Sequence, residues 1–399
     1  MPCYPVFGQA TFDGPRESPL PCLLDRPGVI LTASGRVATA LALAGFGIGP
    51  GDRVLLPSYH CPTMVTPVLH VGATPIFYAL DDNGAPCQAS IEAQAADNRP
   101  RAIVVAHLFG IGLDLRELRT WCTKHAVVLI EDCAHALFGS VGGQPLGDSG
   151  DAAIGSLPKF LPLHEGGCLV FKRPPERRPA LTRSGMLRQI KAAANLLEAG
   201  SRDSRLGVWS RPLQALFDLK QRLRRTAQYE DGGATPRDGS SHALAAPVTV
   251  APPPPANAWM DEARLRTADM ARLPTRVTRW LAARAHRERI VALRRARFAE
   301  YLAHVRNLEG VRAAVPILPA GSVPYVFPIV VEKPDQVFAA LRTAGVPALR
   351  WDRRWPGTPA RPEDVATRWS HALLQLPCHQ DLDCCDMGHI LAICRAAAA

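Results

Sequence analysis

The chain has 399 residues, of which 47% are hydrophobic and 21% charged, and this balance excludes a disordered or fibrous protein. Its length predicts two domains rather than one small core. The formal net charge of +10 comes from one segment, because residues 172–229 contain 14 Lys and Arg against four acidic residues, whereas the remaining chain has 32 of each sign.

The cysteines and the apolar segments indicate the cellular compartment of the protein and bear on metal binding and membrane insertion. Several of the eleven cysteines lie inside apolar stretches rather than at regular loop spacings, which indicates reduced thiols and a cytoplasmic protein. No Cys-x-x-Cys pair with a matching His pair occurs, so we expect no metal. No secretory signal is visible, and the longest apolar helix candidate, Val37–Ile48, is well short of the roughly 20 residues that cross a bilayer.

The first half of the chain alternates helix-like and strand-like patterns at short spacing. Continuous apolar runs such as 103–105 and 127–130 are typical of buried parallel strands. The alternation predicts an α/β domain with a mainly parallel sheet over residues 1–260. The predicted elements are the helices Ala38–Phe46, Met64–His70 and Leu115–His125 and the strands Arg53–Pro57, Pro75–Tyr78, Ala102–Ala106, Val127–Glu131, Ala152–Ile154 and Cys168–Phe171.

Residues 172–229 form a basic helical insertion in this domain. Apolar residues recur there at three- and four-residue steps, which predicts two amphipathic helices. Either their apolar faces pack on the body of the protein, or the segment is a surface that attracts phosphate or anionic lipid as a peripheral membrane contact. The stretches of mixed Lys and Arg are not interleaved with base-stacking aromatic residues, so we expect no nucleic acid. The apolar positions are Leu187, Ile190, Ala194, Leu197, Leu206, Trp209, Leu213 and Leu216.

Composition changes after the basic segment. Residues 230–258 are rich in Gly, Ser and Pro, which predicts a flexible linker. Residues 261–399 follow as a smaller C-terminal α+β domain. Its predicted elements are one long helix or two over Arg264–Asn307, a strand at Pro328–Val331, a helix at Asp335–Ala344 and an extended segment at Ala348–Trp351.

Two short segments have residues suited to a phosphate and to a pyridine ring. Ala33–Arg36 precedes a helix, and the free N–H groups and the dipole at such a helix start suit a phosphate, although an ordinary helix cap is the alternative. Asp132 follows an apolar strand, at the edge where α/β proteins bind ligands. Its carboxylate could keep a pyridine nitrogen protonated, or simply cap a loop.

A lysine and an aromatic segment complete the candidate site. Lys159 lies between Pro158 and Phe160, and apolar neighbours lower a lysine pKa and supply the neutral amine that a Schiff base requires. Ser156, three residues earlier, offers a hydroxyl to a phosphate. The segment Pro57–Pro62 has aromatic surface that could sandwich a planar cofactor, or it is a packed strand end.

The order of the motifs resembles the DegT/DnrJ/EryC1/StrS aminotransferases, a branch of the fold-type-I enzymes that use pyridoxal 5'-phosphate (PLP). The resemblance implies a homodimer whose large domain has a mainly parallel seven-stranded sheet, with a smaller α+β C-terminal domain. The motifs that carry it are Ser34-Gly35-Arg36, Gly49–Asp52, Gly72–Pro75, His107–Gly110, Glu131–His135, Ser156–Gly167 and Leu376–Leu382.

The resemblance also implies roles for individual residues. Lys159 would bind PLP as a Schiff base and then move a proton, Asp132 would pair with the ring nitrogen, and His135 would bond the phenolic oxygen. The stacking aromatic of the family aligns nearest Cys61, so Tyr59 or His60 would substitute for it. The phosphate would be bound by Ser34, Gly35, Arg36 and Ser156.

These expectations predict a PLP-dependent aminotransferase. It would move an amino group from an amino acid, glutamate above all, to an oxo-sugar that is linked to a nucleotide. One alternative is an aminotransferase for a non-sugar ketone of a natural-product pathway, such as a cyclitol. Another is a non-catalytic PLP-binding or membrane-associated protein, against which the intact Lys159 and Asp132 argue.

Overall fold

The computed structural model describes residues 1–14, 19–230, 260, 263–362 and 364–398. Its strands are β1 (Ile30–Thr32), β2 (Arg53–Pro57), β3 (Thr74–Tyr78), β4 (Ala102–Ala106), β5 (Val128–Asp132), β8 (Ala152–Ser156) and β9 (Gly167–Phe171), with a separate ribbon of β6 (Ser140–Val141) and β7 (Gln144–Pro145). The first seven form a sheet in the order β1-β9-β8-β5-β4-β2-β3, in which β9 is antiparallel to both its neighbours, β1 and β8, and the other neighbours are parallel. The predicted mainly parallel sheet is therefore confirmed.

Helices and apolar side chains bury this sheet. Strand β4, Ala-Ile-Val-Val-Ala, is buried at every position, as expected for a central parallel strand. Strand β1 and one helix were not among the predicted elements, because β1 has only three residues and the helix has a weak apolar stripe. The helices of this region are α1 (Gly35–Gly45), α2 (Pro62–His70), α3 (Gln88–Asn98) and α4 (Arg116–Lys124).

A buried glutamate fixes the loop beside the carboxyl end of β5. Glu131 accepts hydrogen bonds from His107 Nε2 at 3.0 Å and from three N–H groups of residues 147–150 at 2.5 to 3.0 Å. The other ring nitrogen of His107, Nδ1, accepts from Leu113 N–H, so the imidazole has its proton on Nε2. This network holds two loops against the strand that ends in Asp132.

The basic insertion forms a pair of helices that contact each other, α5 (Met186–Arg202) and α6 (Ser210–Glu230). The predicted apolar positions divide between exposed and half-buried, since Leu187 is 86% exposed and Trp209 is 68% exposed, whereas Leu206 and Leu213 are half-buried. Leu196 and Gly200 are buried instead. Close approach decides this orientation, because a Cβ on Gly200 would lie 2.5 Å from the carbonyl oxygen of Phe7.

The long helix predicted over Arg264–Asn307 is divided into α7 (Thr267–Met270), α8 (Arg276–Arg284) and α9 (Arg287–Val305). The break before α9 has a tertiary cause. His286 donates its backbone N–H to Thr11 O at 2.8 Å, so the N-terminal segment replaces the bond that a continuous helix would make. The side chain of Arg287 bonds Ala282 O at 3.3 Å.

A second, antiparallel sheet follows, with its own core around Phe298 and Phe327. The extended segment predicted at Ala348–Trp351 pairs with the sheet at Leu349, opposite Gln375, and the side chain of Arg350 bonds Asp335 and His371 O. The elements are β10 (Val311–Ala313), β11 (Val326–Val331), β12 (Leu373–Pro377), α10 (Pro334–Thr343), α11 (Val365–Ala372) and α12 (Cys384–Ala398).

The predicted domain boundary at 260/261 stays a prediction. Side chains from both sides of it pack together, since Leu281 and Ile290 belong to the same core cluster as Phe160. The linker predicted over 230–258 lies outside the described residues, except for Glu230 at the end of α6. No helix in the described ranges is long and apolar enough to cross a membrane.

We predict that Glu131→Gln lowers the free energy of unfolding at neutral pH by about 2 kcal/mol, because its buried donors lose a charged acceptor. Burial alone would raise the pKa of Glu131, but the hydrogen bonds from His107 and the loop lower it below its usual value. The stabilisation is therefore present above the pKa of the unfolded state and is lost as the pH falls through the lower folded pKa.

Urea unfolding of both proteins from neutral to acid pH measures this difference. The matched control is Asp114→Asn, which removes an exposed carboxylate paired with Arg116 and should leave the stability unchanged. A loss in Glu131→Gln that stays constant over the acid range would contradict the role of the ionised carboxylate.

Candidate active site

The predicted site residues meet at the carboxyl edge of the parallel strands. Asp132 is the last residue of β5, and Lys159 ends a short 3-10 helix, Leu157–Lys159, that follows β8. Strands β5 and β8 are parallel neighbours with Asp132 opposite Ile154, so both side chains belong to the same edge. This is the edge at which open α/β sheets bind their ligands.

Asp132 and Lys159 influence each other's charge. Burial lowers the pKa of Lys159, and the negative charge of Asp132 opposes that change. Burial likewise raises the pKa of Asp132, against the attraction of Lys159 and the N–H of Ala134, which donates to Oδ1 at 2.8 Å. Within the described ranges Oδ2 has no hydrogen-bond partner, so one carboxylate oxygen remains an open acceptor.

The start of α1 lies against the segment that leads to Lys159. Ser34 caps α1 by accepting from Val37 N–H at 3.3 Å, and it pairs with Gly166 in a parallel bridge. A Cβ on Gly35 would lie 3.3 Å from Cβ of Ser156, so glycine permits this approach. The structure thus brings the predicted phosphate residues Ser34, Gly35 and Ser156 together, with the N–H groups of the first helical turn beside them.

The side chain of Arg36 points away from this turn. Its Nη1 donates to Ala263 O at 3.1 Å, in the segment before α7. Burial lowers the pKa of the guanidinium. Arg36 can therefore serve an anion at the helix start through its backbone N–H, while its side chain ties α1 to a later part of the chain.

His135 is held as a neutral imidazole. Its Nδ1 accepts the backbone N–H of Phe109 at 3.2 Å, which leaves the proton on Nε2. Burial, and then the charge of Lys159, lower the pKa of His135 well below its usual value. The donor loop is sharply bent, with φ of 60° at Phe109 and 95° at Gly110, where a Cβ would lie 2.2 Å from Val323 O.

Tyr59 and His60 are both packed against other aromatic rings. Tyr59 is 1% exposed and lies 5.1 Å from Trp351 between ring centroids. His60 stacks on Phe77 at 5.0 Å, and both its ring nitrogens are bonded, to Pro57 O and Trp355 N–H. Burial lowers its pKa to about 4, so the ring is neutral. The prediction that one of them covers the cofactor stays a prediction.

A buried arginine that the motifs did not indicate holds the lysine segment. Arg294 is 0% exposed, and its Nη2 donates to Lys159 O at 2.7 Å. Its Nη1 donates to Pro324 O at 3.0 Å and its Nε to Gln380 Oε1 at 2.9 Å. The guanidinium carbon lies 4.5 Å above the ring of Phe160. The side chain of Arg294 therefore connects the segment of Lys159 to residues shortly before β11 and shortly after β12.

The sequence contained a signal for Arg294 but none for two aromatic residues of the site. Arg294 lies midway between Ile290 and Phe298 at four-residue steps, so it occupies a core position of α9. Tyr325 has its ring 5.1 Å from Lys159 Nζ and 4.5 Å from the ring of His135, and Trp351 lies 5.4 Å from His135. Neither aromatic residue is part of a local motif.

A third group of side chains has the spacing of metal ligands. It consists of His107, Glu131 and Cys133, whose ligand atoms all lie within 4.8 Å of one another. Glu131 already accepts four hydrogen bonds, and both nitrogens of His107 are engaged. His107 and Glu131 are therefore already committed to a hydrogen-bond network.

Comparison with known proteins shows what the segment that contains most of the candidate site is similar to. Residues 20–195 match the model of the DegT/DnrJ/EryC1/StrS aminotransferase family. This part of the chain is similar to that family. The match includes Ser34, Asp132 and Lys159, and it ends within α5. The resemblance predicted from the motifs is therefore confirmed.

Curated relatives and solved structures agree with this similarity. The chain is 42% identical over 120 residues to a UDP-N-acetyl-3-dehydro-alpha-D-glucosamine 3-aminotransferase of Acidithiobacillus ferrooxidans, covering 30% of the chain and 32% of the relative. It is 34% identical over 140 residues to L-glutamine:scyllo-inosose aminotransferase of Streptomyces griseus, covering 35% and 33%. The alignments thus span about a third of each relative.

A structural likeness extends over most of the chain. The sugar aminotransferase Spr1654 of Streptococcus pneumoniae in its PLP form superposes with a TM-score of 0.59 at 15% identity, covering 93% of this chain and 87% of that one. At this identity the likeness concerns the fold alone. The predicted fold class, that of the fold-type-I PLP-dependent transferases, is confirmed.

We predict that Arg294→Met destabilises the protein by about 3 kcal/mol, because several buried acceptors lose a charged donor. Arg306→Met on the exposed end of the same helix is the matched control and should change little. Arg294→Lys keeps the charge but lacks the planar guanidinium, so its free energy of unfolding should lie between those of the two Met variants. Urea unfolding measures the order, and equal stability of the Met variants would contradict the role of Arg294.

Proposed function

We propose that the chain is a PLP-dependent aminotransferase. The observation that carries the proposal is the pair of Asp132 and Lys159, a carboxylate and an amine that face one ligand-binding edge of a parallel sheet. The similarity of residues 20–195 to the family supports it. The curated relatives align over only a third of their length. The proposal for the activity of the whole chain therefore depends on the geometry of this site.

The residues at the edge fit PLP group by group. The open Oδ2 of Asp132 is an acceptor for a protonated pyridine nitrogen. The Nε2–H of His135 is a donor for a phenolic oxygen. The N–H groups at the start of α1, next to Ser34 and Ser156, suit a phosphate. Lys159, with its pKa lowered by burial, supplies an amine for a carbonyl group.

When bound, PLP supplies an electron sink that lets an amino group be taken from one substrate and given to another. The residues of the chain do the remaining work. Lys159 binds the cofactor and then accepts and returns a proton at Nζ. Asp132 keeps its charge next to the ring nitrogen, and His135 remains a neutral donor at neutral pH because its pKa is lowered. The aromatic side chains of Tyr325 and Trp351 exclude water from this edge.

We propose an amino acid, glutamate above all, as the donor and a nucleotide-linked oxo-sugar as the acceptor. The relative from Acidithiobacillus ferrooxidans, named for a UDP-linked sugar, supports this acceptor class. The relative from Streptomyces griseus is named for the cyclitol scyllo-inosose and for glutamine, which supports a cyclitol ketone as the second candidate. Both acceptors are ketones of a polyhydroxylated ring, so a panel of the two classes with both donors would separate them.

We also propose a cytoplasmic homodimer. All eleven cysteines are free, and most are buried or half-buried, which suits a reducing compartment. The family resemblance supports the dimer, and light scattering of the purified protein would measure its mass.

We predict that PLP attaches to Lys159. Borohydride reduction of the cofactor-loaded protein, followed by digestion and mass spectrometry, should find the pyridoxyl group on this residue. Lys159→Ala should lose the label and the visible absorption band of the bound cofactor. Lys172→Ala, which removes an exposed lysine paired with Asp148, is the matched control and should retain both. A label on another lysine would remove the central claim.

We predict that Asp132→Asn keeps the fold but lowers transamination about 100-fold, because the ring nitrogen loses its charged partner. Asp132 raises the pKa of Lys159, so its removal should lower that pKa further. The attachment of PLP needs the neutral amine, and its rate against pH should therefore have a lower midpoint in the variant. Asp148→Asn, which removes the carboxylate of a half-buried ion pair with Arg26, is the control. An unchanged midpoint would show that the two charges do not interact.

A further inference from the structure

The helix pair of α5 and α6 exposes large apolar side chains that the core does not use. On α5, Met186 is 73% exposed, Leu187 86% and Ile190 59%. Leu187, Ile190 and Leu197 recur at three- and seven-residue steps, so they share one face of the helix. The connecting turn adds Val208 and Trp209, and α6 adds Leu216 and Leu219, all of them more than half exposed. Soluble surfaces rarely gather so many apolar side chains in one element.

Positive charge borders this apolar surface. Lys191 is exposed one helical turn after Leu187, and Arg188, exposed directly beside Leu187, lies 4.0 Å from Asp269. Arg183 precedes the helix, and Arg211 and Lys220 are exposed on α6. The acidic residues of the pair are few, and Glu198 is already paired with Arg202 at 2.6 Å. The whole excess of positive charge of the chain lies between residues 172 and 229.

We propose that this helix pair is a docking surface for an anionic lipid bilayer. Apolar side chains with a basic border are the pattern of helices that lie in the membrane interface, where Leu, Ile and Trp enter the acyl boundary and Lys and Arg contact lipid headgroups. Trp209 is suited to that depth, because indole prefers the interface between headgroups and hydrocarbon. The protein would lie on the membrane surface without crossing it.

Charge argues against a second copy of the chain as the occupant of the same surface. In a two-fold interface each patch meets its own copy, so two strongly basic segments would be brought together. Like charges directly opposed destabilise such an interface, whereas an anionic bilayer attracts them. The first part of α5, up to residue 195, lies at the end of the segment that matches the family model, and α6 lies beyond it.

The proposal is tested with the full-length, PLP-loaded protein and vesicles of phosphatidylcholine with and without phosphatidylglycerol. The protein should sediment with the anionic vesicles only. Salt should weaken binding, since the Debye length falls from about 10 Å at 0.1 M to about 3 Å at 1 M. Leu187→Ser combined with Ile190→Ser should lower the partition coefficient about tenfold or more, and Lys191→Gln combined with Lys220→Gln about tenfold.

Matched controls distinguish membrane binding by the helix pair from a general effect of removing an apolar side chain and from an effect on activity. Ile317→Ser removes an apolar side chain that is 76% exposed on another part of the molecule and should not affect sedimentation. The emission of Trp209 is obtained by subtracting the spectrum of Trp209→Phe from that of the wild type. This emission should shift to shorter wavelength when anionic vesicles are added. The half-reaction with glutamate and the label on Lys159 should stay unchanged in all variants, so this test is independent of the proposed activity.

Two results would overturn the proposal. If the wild type does not sediment with anionic vesicles, no bilayer binds the surface. If Leu187→Ser with Ile190→Ser halves the molar mass in light scattering and leaves sedimentation unchanged, a second copy covers the surface instead.

Discussion

The buried guanidinium of Arg294 is the contact on which the candidate site depends. A charge taken out of water is tolerated only when its donors all find acceptors, and Arg294 satisfies its donors with Lys159 O, Pro324 O and Gln380 Oε1. These acceptors come from three distant parts of the chain. Since removal of the arginine would leave them unpaired, the backbone of the lysine segment and the second sheet are fixed by one another. Burial lowers the pKa of Arg294 to about 10, so it stays charged at neutral pH.

Around that anchor, burial and charge act in opposite directions on the reactive groups. Desolvation favours the neutral forms of Lys159, Asp132 and His135, while the attraction between Lys159 and Asp132 favours the charged forms of those two. The result is an amine with a lowered pKa beside a carboxylate that keeps an open oxygen. The neighbouring residue Glu131 differs from Asp132, because its hydrogen bonds outweigh its burial and lower its pKa. Its carboxylate is therefore held in the charged form.

The basic helices α5 and α6 differ from the helices that cover the sheet in which of their apolar side chains are buried. Leu196 of α5 belongs to a core cluster of the body, Phe217 of α6 is buried, and close contact at Gly200 sets the direction of α5. The larger apolar stripe therefore stays outside, next to Lys191 and Arg188. Amphipathic periodicity shows that a helix has an apolar face but not which partner covers it, and that partner can be a bilayer as well as a core.

By itself the sequence determined the elements of the sheet and the identity of the reactive groups. Apolar runs give buried parallel strands, and the residues after them, Asp132 and Lys159, reach the ligand edge because that edge is where such strands end. Tertiary structure alone decided which distant side chains join them. Arg294, Tyr325 and Trp351 lie more than 100 positions beyond Lys159, and the break at His286 depends on a bond to Thr11. Local pattern cannot encode these choices, because each depends on how two separately formed elements pack.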